Sequence, residues 1–211
     1  MRILKEDITI SREIYKFLND NIQLINECKF DELFKKANNV FISYDFVIIY
    51  NLIYKKFPDC VNYMTFIPSY FFYDNADIKS FTIPNNVKKI EQVAFKECKS
   101  LTNIEIPNSV LDIGEGAFEY CESLTNITIP NSLIKIKNVL FWCCNSLINL
   151  EIPKSVTSIG DQPFGNCDKL TSIKYLGTKQ DWKNIEKSSE WHKYSRIKEV
   201  QCTDGILKYR V

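Results

Sequence analysis

The chain has 211 residues, 45% of them apolar and 25% charged, with a formal net charge of +1. That length suits one elongated domain or two small ones. The near-neutral balance lacks the basic footprint of a nucleic-acid binder. The most apolar stretch, residues 46–54, is nine residues long, too short to cross a bilayer.

The first residues, MRILKEDITISREIYKF, carry charges where an export signal needs an apolar core. A cytoplasmic location is therefore expected, with a place in a virion or a surface assembly as the alternative. Ser11 is positioned to cap a helix whose apolar residues are Ile14, Phe17, Leu18 and Leu24/Ile25. Phe30, Leu33, Phe34 and Ala37 form a second helical face, and Asn38-Asn39 breaks it. Residues 43–57 are apolar on nearly every side, which suits a buried helix or a strand; a helix that ends before Pro58 is preferred. Residues 1–63 thus read in two ways. They are a helical cap that shields the first coil of a repeat array beginning near residue 64, or a small functional domain displayed upon that array.

From residue 64 a fixed period takes over. Pro84, Pro107, Pro130 and Pro153 stand 23 residues apart, each preceded by Ile. Cys98, Cys121, Cys144 and Cys167 keep the same step, as do Phe72, Phe95, Phe118, Phe141 and Phe164. Fixed residue types at a fixed step mean a stacked solenoid. Within a coil, Leu101, Ile104 and Ile106 alternate with polar residues as a half-buried strand does. Pro107 ends that strand, because proline fixes φ and has no N–H. Asn108 and Ser109 supply turn chemistry, and Val110 with Ile113 makes a second short extended piece. Residues 114–121 read as a tight turn with about one helical turn. One coil cannot bury its own apolar face, whereas a stack can.

The pattern L-x-x-I-x-I-P-x-S-V-x-x-I-G-x-x-A-F-x-x-C resembles the BspA-like class of leucine-rich repeat, over Phe66 to about Tyr175. The stretch from Tyr175 to Trp182, with Trp191 and residues 200–205, resembles the segment that often closes such arrays. Members of that class are mostly binding and adhesion proteins with no shared catalytic residues, so the resemblance implies a surface for holding a partner. Related proline-bearing repeats occur in protists and large viruses. Unlike the surface-antigen members, this chain shows no export signal and a short array. Beyond the repeats, Thr178 and Asp181 suit a capping box for a helix over 179–187. Residues 200–207 suit a final edge strand with a turn at Asp204-Gly205.

Catalytic patterns are absent from the sequence. It has one histidine, His192, six glycines, no phosphate-binding loop, no G-x-S-x-G and no His/Cys metal spacing. Four of its eight cysteines fall at one repeat position, where they suit reduced packing thiols. The outward positions carry specificity. Ser80, Asn103, Asn126, Asn149 and Ser172 form one column, suited to a ladder of amide hydrogen bonds. Thr82, Glu105, Thr128, Glu151 and Lys174 form a second column, of mixed chemistry. On the turn edge Trp142 is the outlier among small and polar neighbours, either an interface anchor or packed against Tyr120.

The expected fold is α+β: a leucine-rich-repeat β-solenoid of four to five coils with short parallel strands over 64–176. A helical N-terminal domain or cap fills 1–63, and a helix/strand cap fills 177–211. The expected function is a non-enzymatic protein–protein interaction module, with Glu105, Thr128, Glu151, Lys174 and Trp142 as candidate contacts. No cofactor, metal, nucleic acid or membrane insertion is expected. The alternatives are a structural or adhesion component of a larger assembly, a viral one included, and an enzyme with its site in 1–63.

Overall fold

The computed structural model describes residues 12–38, 49–50, 53–55 and 58–209. Each 23-residue repeat lays down two strands. The first coil holds β1 (Phe66–Ile67) and β2 (Ser80–Thr82), and the second holds β3 (Lys89–Ile90) and β4 (Asn103–Glu105). The third holds β5 (Asp112–Ile113) and β6 (Asn126–Thr128); the fourth holds β7 (Lys135–Ile136) and β8 (Asn149–Ile152). The fifth holds β9 (Ser158–Ile159) and β10 (Ser172–Tyr175); the sixth holds β11 (Glu186–Lys187) and β12 (Glu199–Cys202). The array therefore has six coils rather than four to five.

The even-numbered strands stack into one long parallel sheet, in strict 23-residue register from Ser80↔Asn103 to Lys174↔Glu151. A last strand, β13 (Gly205–Lys208), joins its end antiparallel to β12. The odd-numbered strands form two three-stranded parallel sheets, β1-β3-β5 and β7-β9-β11. Alternation places Ile104, Ile127, Leu150 and Ile173 inward and buried, while Asn103 and Glu105, or Asn126 and Thr128, face solvent.

Between the sheets the phenylalanines stack as one column. Ring centroids from Phe72 through Phe95, Phe118 and Phe141 to Phe164 are separated by 4.8, 5.4, 5.7 and 6.2 Å. The last two pairs are parallel to within 8°. This offset stacking adds to the burial of each ring.

The segment 114–121 is a run of turns, not a helical turn. The N–H groups of Ala117, Glu119 and Cys121 bond three residues back in their own coil. Those of Gly116, Phe118 and Tyr120 reach Asn138, Leu140 and Trp142 of the next coil. Two residues in each of the first five coils adopt left-handed backbone, which breaks any i→i−4 series and frees alternate N–H groups for the neighbour. One series is Tyr70, Val93, Gly116, Val139 and Gln162; the other is Asp74, Glu97, Tyr120, Cys143 and Asn166. A β-branched residue is costly in that region. Gly116, at φ 57°, is the one glycine of its series. Gly116→Val is expected to lower stability by about 1–2 kcal/mol, read as a melting temperature lower by roughly 2–8 °C.

The N-terminal helices are α1 (Arg12–Asp20), α2 (Ile22–Asn26) and α3 (Phe30–Asn38). The helix expected through Ile25 is broken at Asn21, and Ser11 lies outside the described residues. The face of Phe30, Leu33, Phe34 and Ala37 is fully buried, as its spacing predicts. Within 43–57, described residues 49–50 and 53–55 are helical, and Pro58 opens a short 3-10 helix, Pro58–Tyr63. These elements continue the aromatic column: Phe34 and Tyr50 pack on Phe71 at 5.4 and 5.3 Å, and Tyr54 packs edge-on to Phe72 at 4.9 Å. The Asp31 carboxylate accepts the Thr65 N–H at 3.0 Å, tying α3 to the start of the first coil.

At the other end, α4 (Lys179–Asn184) occupies the corner that the first four coils turn with Pro84, Pro107, Pro130 and Pro153. It begins at the predicted capping box: Thr178 Oγ1 accepts the Asp181 N–H at 3.1 Å, and the Asp181 carboxylate accepts the Thr178 N–H at 2.9 Å. It stops at Asn184, short of the expected 187, because Glu186 and Lys187 join the short sheet. The Lys187 ammonium then caps the helix, donating to the carbonyls of Trp182 and Ile185. No described helix is long and apolar enough to cross a membrane.

Candidate recognition surface

Four of the five predicted contact residues share one surface. Glu105, Thr128, Glu151 and Lys174 line a single column of the long sheet, and Gln201 on β12 extends it past Lys174. All four point outward, because their inward neighbours fill the core. The column is internally paired. Lys174 Nζ lies 2.7 Å from Glu151 Oε1, with both side chains about half exposed, and Thr82 Oγ1 donates to Glu105 at 3.3 Å. Exposed pairs of this kind contribute little to stability, so both carboxylates are available to exchange partners. In the neighbouring column the amide ladder has one rung: Asn149 Nδ2 donates to Asn126 Oδ1 at 2.9 Å, while Asn126 Nδ2 donates to Thr125.

Trp142 lies on a different side of the coil, in the turn segment. Its indole covers Gly165, where an added Cβ would meet Cζ3 at 2.2 Å, and it meets Tyr194 edge-on at 5.8 Å. The indole therefore packs on Gly165 and Tyr194, and Tyr120 meets Trp142 through the backbone, its N–H donating to the Trp142 carbonyl at 2.7 Å. Tyr120 is paired instead with the Lys96 ammonium, 5.7 Å above its ring. Sequence spacing aligns Trp142 with Gly165. Tyr194 comes from the sixth coil, whose lengthened repeat hides the alignment.

The cysteine column faces inward, and it does more than pack. Cys98, Cys121, Cys144 and Cys167 donate S–H bonds to the carbonyls of Phe72, Phe95, Phe118 and Phe141 in the preceding coil, at 2.9–3.1 Å. Each of those carbonyls also accepts an N–H of its own coil, from Asn75, Cys98, Cys121 and Cys144. Burial pushes the Cys98 and Cys167 thiols up to about 12, and Cys121 and Cys144 well above the usual thiol range. Buried Cys60 is likewise pushed up to about 12.

In the native protein these five thiols should resist alkylation at pH 8, where a group of pKa 12 is thiolate about once in 10⁴ molecules. Partly exposed Cys28, Cys143 and Cys202 should label first, and all eight should label in denaturant. Rapid native labelling of the column would show that it faces solvent. Because folding raises these pKa values, the buried thiols stabilise the fold fully below the unfolded value near 9, and that contribution is lost as pH rises toward 12. Melting temperature should fall between pH 9 and pH 11.

The surface offers no assembled catalytic group among the described residues. His192 is exposed beside Trp191 and Tyr209, at centroid distances of 4.9 and 6.1 Å. No set of three His, Cys, Asp or Glu side chains among the described residues is placed to hold a metal ion. Two open hollows of about 380 and 430 Å³ lie along the short sheets, and Glu115 and Lys137 line both.

A family model described as the BspA type leucine rich repeat region matches residues 65–189 in six copies. Among solved structures, the chain is similar to a leucine-rich repeat protein of T. pallidum, with 33% identity over 53% of this chain and 52% of that one, at a TM-score of 0.51. It therefore spans about half the length of that protein. It also shares the fold of the pneumococcal vaccine antigen PcpA, at 22% identity over 70% of this chain and 35% of that one, with a TM-score of 0.51. No protein of curated function matches the chain.

Proposed function

Because the chain belongs to the BspA-type leucine-rich repeat family, we propose that it is a non-enzymatic protein-binding module that engages its partner through the outer face of the long sheet. One observation carries this reading. The frame repeats from coil to coil, while the solvent-facing column changes from Thr82 to Glu105, Thr128, Glu151, Lys174 and Gln201. The frame residues are fixed by stacking, whereas the column is free to vary, which lets one scaffold suit a particular partner. Trp142 adds an aromatic ring on the adjoining side, of the kind enriched at interfaces.

The test begins with affinity capture from native lysate and titration of the captured protein. Glu105→Lys/Glu151→Lys should leave the fold intact, since surface substitutions usually stay within about 0.5 kcal/mol. It should weaken binding by roughly tenfold or more, mainly through a slower, salt-dependent association. Trp142→Ala tests the ring separately. If both variants bind like the parent, the solenoid is a passive scaffold and recognition belongs to residues 1–63. A discrete oligomer in sizing chromatography, insensitive to both variants, would favour a structural role in an assembly.

A further inference from the structure

Adjacent coils are joined by three ladders of backbone hydrogen bonds: one in the long sheet, one along the turn segments and one in the short sheet. One junction departs from this rule. In the short sheets, the Leu111 and Gly114 N–H groups reach Lys88 and Ile90 at 2.8 Å. Two coils on, the Thr157 and Gly160 N–H groups reach Ile134 and Ile136, again at 2.8 Å. The matching donors of the fourth coil, on Ile134 and Lys137, make no such bonds to Leu111 and Ile113, and β5 does not pair with β7. The six coils divide three and three.

The fourth coil carries more bulk at this corner. Lys137 stands where the flanking coils have Gly114 and Gly160, whose added Cβ atoms would meet their neighbours at 2.2 and 2.3 Å. A Cβ alone does not open the ladder, because the Glu91 N–H still reaches Ile67 at 2.9 Å. The second difference is Leu140, fully buried where the two preceding coils have Ala94 and Ala117. Side chains bridge the opening instead: Lys137 pairs with Asp112 at 2.7 Å, and Asn138 Nδ2 donates to Glu115 at 3.1 Å. Such a half-exposed ion pair is weak and screened by salt.

We infer that the solenoid bends at the junction of its third and fourth coils, with the short-sheet side opening and closing. The long sheet is fully paired there, from Asn126↔Asn149 to Thr128↔Glu151, and the Phe118 and Phe141 rings remain stacked at 5.7 Å. That side is the hinge. Bending changes the curvature of the outer face between Thr128 and Glu151, and a ligand spanning both coils would select one curvature.

Amide exchange and residual dipolar couplings, measured by NMR on the full chain, test this. The Ile134 and Lys137 amides should exchange about 100-fold faster than those of Leu111, Gly114, Thr157 and Gly160. Couplings from residues 65–133 and 134–202 should need two alignment tensors of unequal magnitude. In Lys137→Gly/Leu140→Ala the amide at position 137 should slow to match Gly160, and one tensor should fit all six coils. Equal protection of the parent's amides overturns the inference. So does a single tensor for the parent, even with fast amides.

Discussion

Phe118→Ala should destabilise the protein by about 3–5 kcal/mol, the range for a buried aromatic whose neighbours collapse only partly. Phe118 is fully buried in the middle of the column, with Phe95 at 5.4 Å and Phe141 at 5.7 Å. Its N–H belongs to the turn ladder, donating to Leu140 of the next coil, and its carbonyl takes both the Cys121 N–H and the Cys144 S–H. The adjoining Ala117 carbonyl takes the Phe95 N–H at 2.8 Å, so the backbone there is tied to the coils on both sides and cannot move into the void. A domain is typically stable by only about 5–15 kcal/mol, so the loss is a large share of the total. A melt within 1 °C of the parent would show that the column does not carry the stack.

Trp182→Ala should cost a similar amount, about 3–5 kcal/mol, but with a different signature. Trp182 is the largest fully buried side chain, held edge-on to Tyr175 at 5.2 Å and Trp191 at 5.7 Å. Its Nε1 donates to the Tyr209 hydroxyl at 2.7 Å. It joins α4, the sixth coil and the terminal hairpin. In a solenoid each coil touches only its neighbours, so a defect at one end frays that end first. Amide protection should be lost in β12 and β13 at temperatures where β4 and β6 remain protected. For Phe118→Ala the loss should spread across the central coils instead. Trp182→Ala melting with the same uniform pattern would mean that the end coil is not a separable unit.

The repeat was legible because it is written in side chains. Ile, Phe and Cys recur where the inward direction recurs, and the register comes from counting. Features carried by the backbone were not legible. Residues 114–121 contain Ala117, Phe118 and Cys121, which suit a helical turn by composition, yet alternate N–H groups belong to the next coil. Nothing in Val93 or Val139 announces a left-handed residue. The cysteines read as packing groups, and their S–H bonds appear only once the coil-to-coil rise sets the distance to the phenylalanine carbonyl. The sixth coil escaped counting because α4 is inserted in the preceding corner, so β11 comes after β9 by 28 residues rather than 23. The outward column was legible as a column. Its internal pairing, Glu151 with Lys174, needed the stack.

The reversed direction of β13 sets a limit on growth. A parallel coil offers on one face what its other face accepts, so a stack of identical coils has no inherent end, and the bonds that add coil to coil within a chain would also add chain to chain. β13 runs against β12, with Cys202 opposite Gly205 and Glu199 opposite Lys208. Its free edge presents the perpendicular, unevenly spaced bonding pattern of an antiparallel strand, and it carries a lysine, a residue that blunts sheet edges. A foreign coil arriving there meets the wrong spacing and a charge. Four residues laid down backwards terminate the filament that the other coils would otherwise begin.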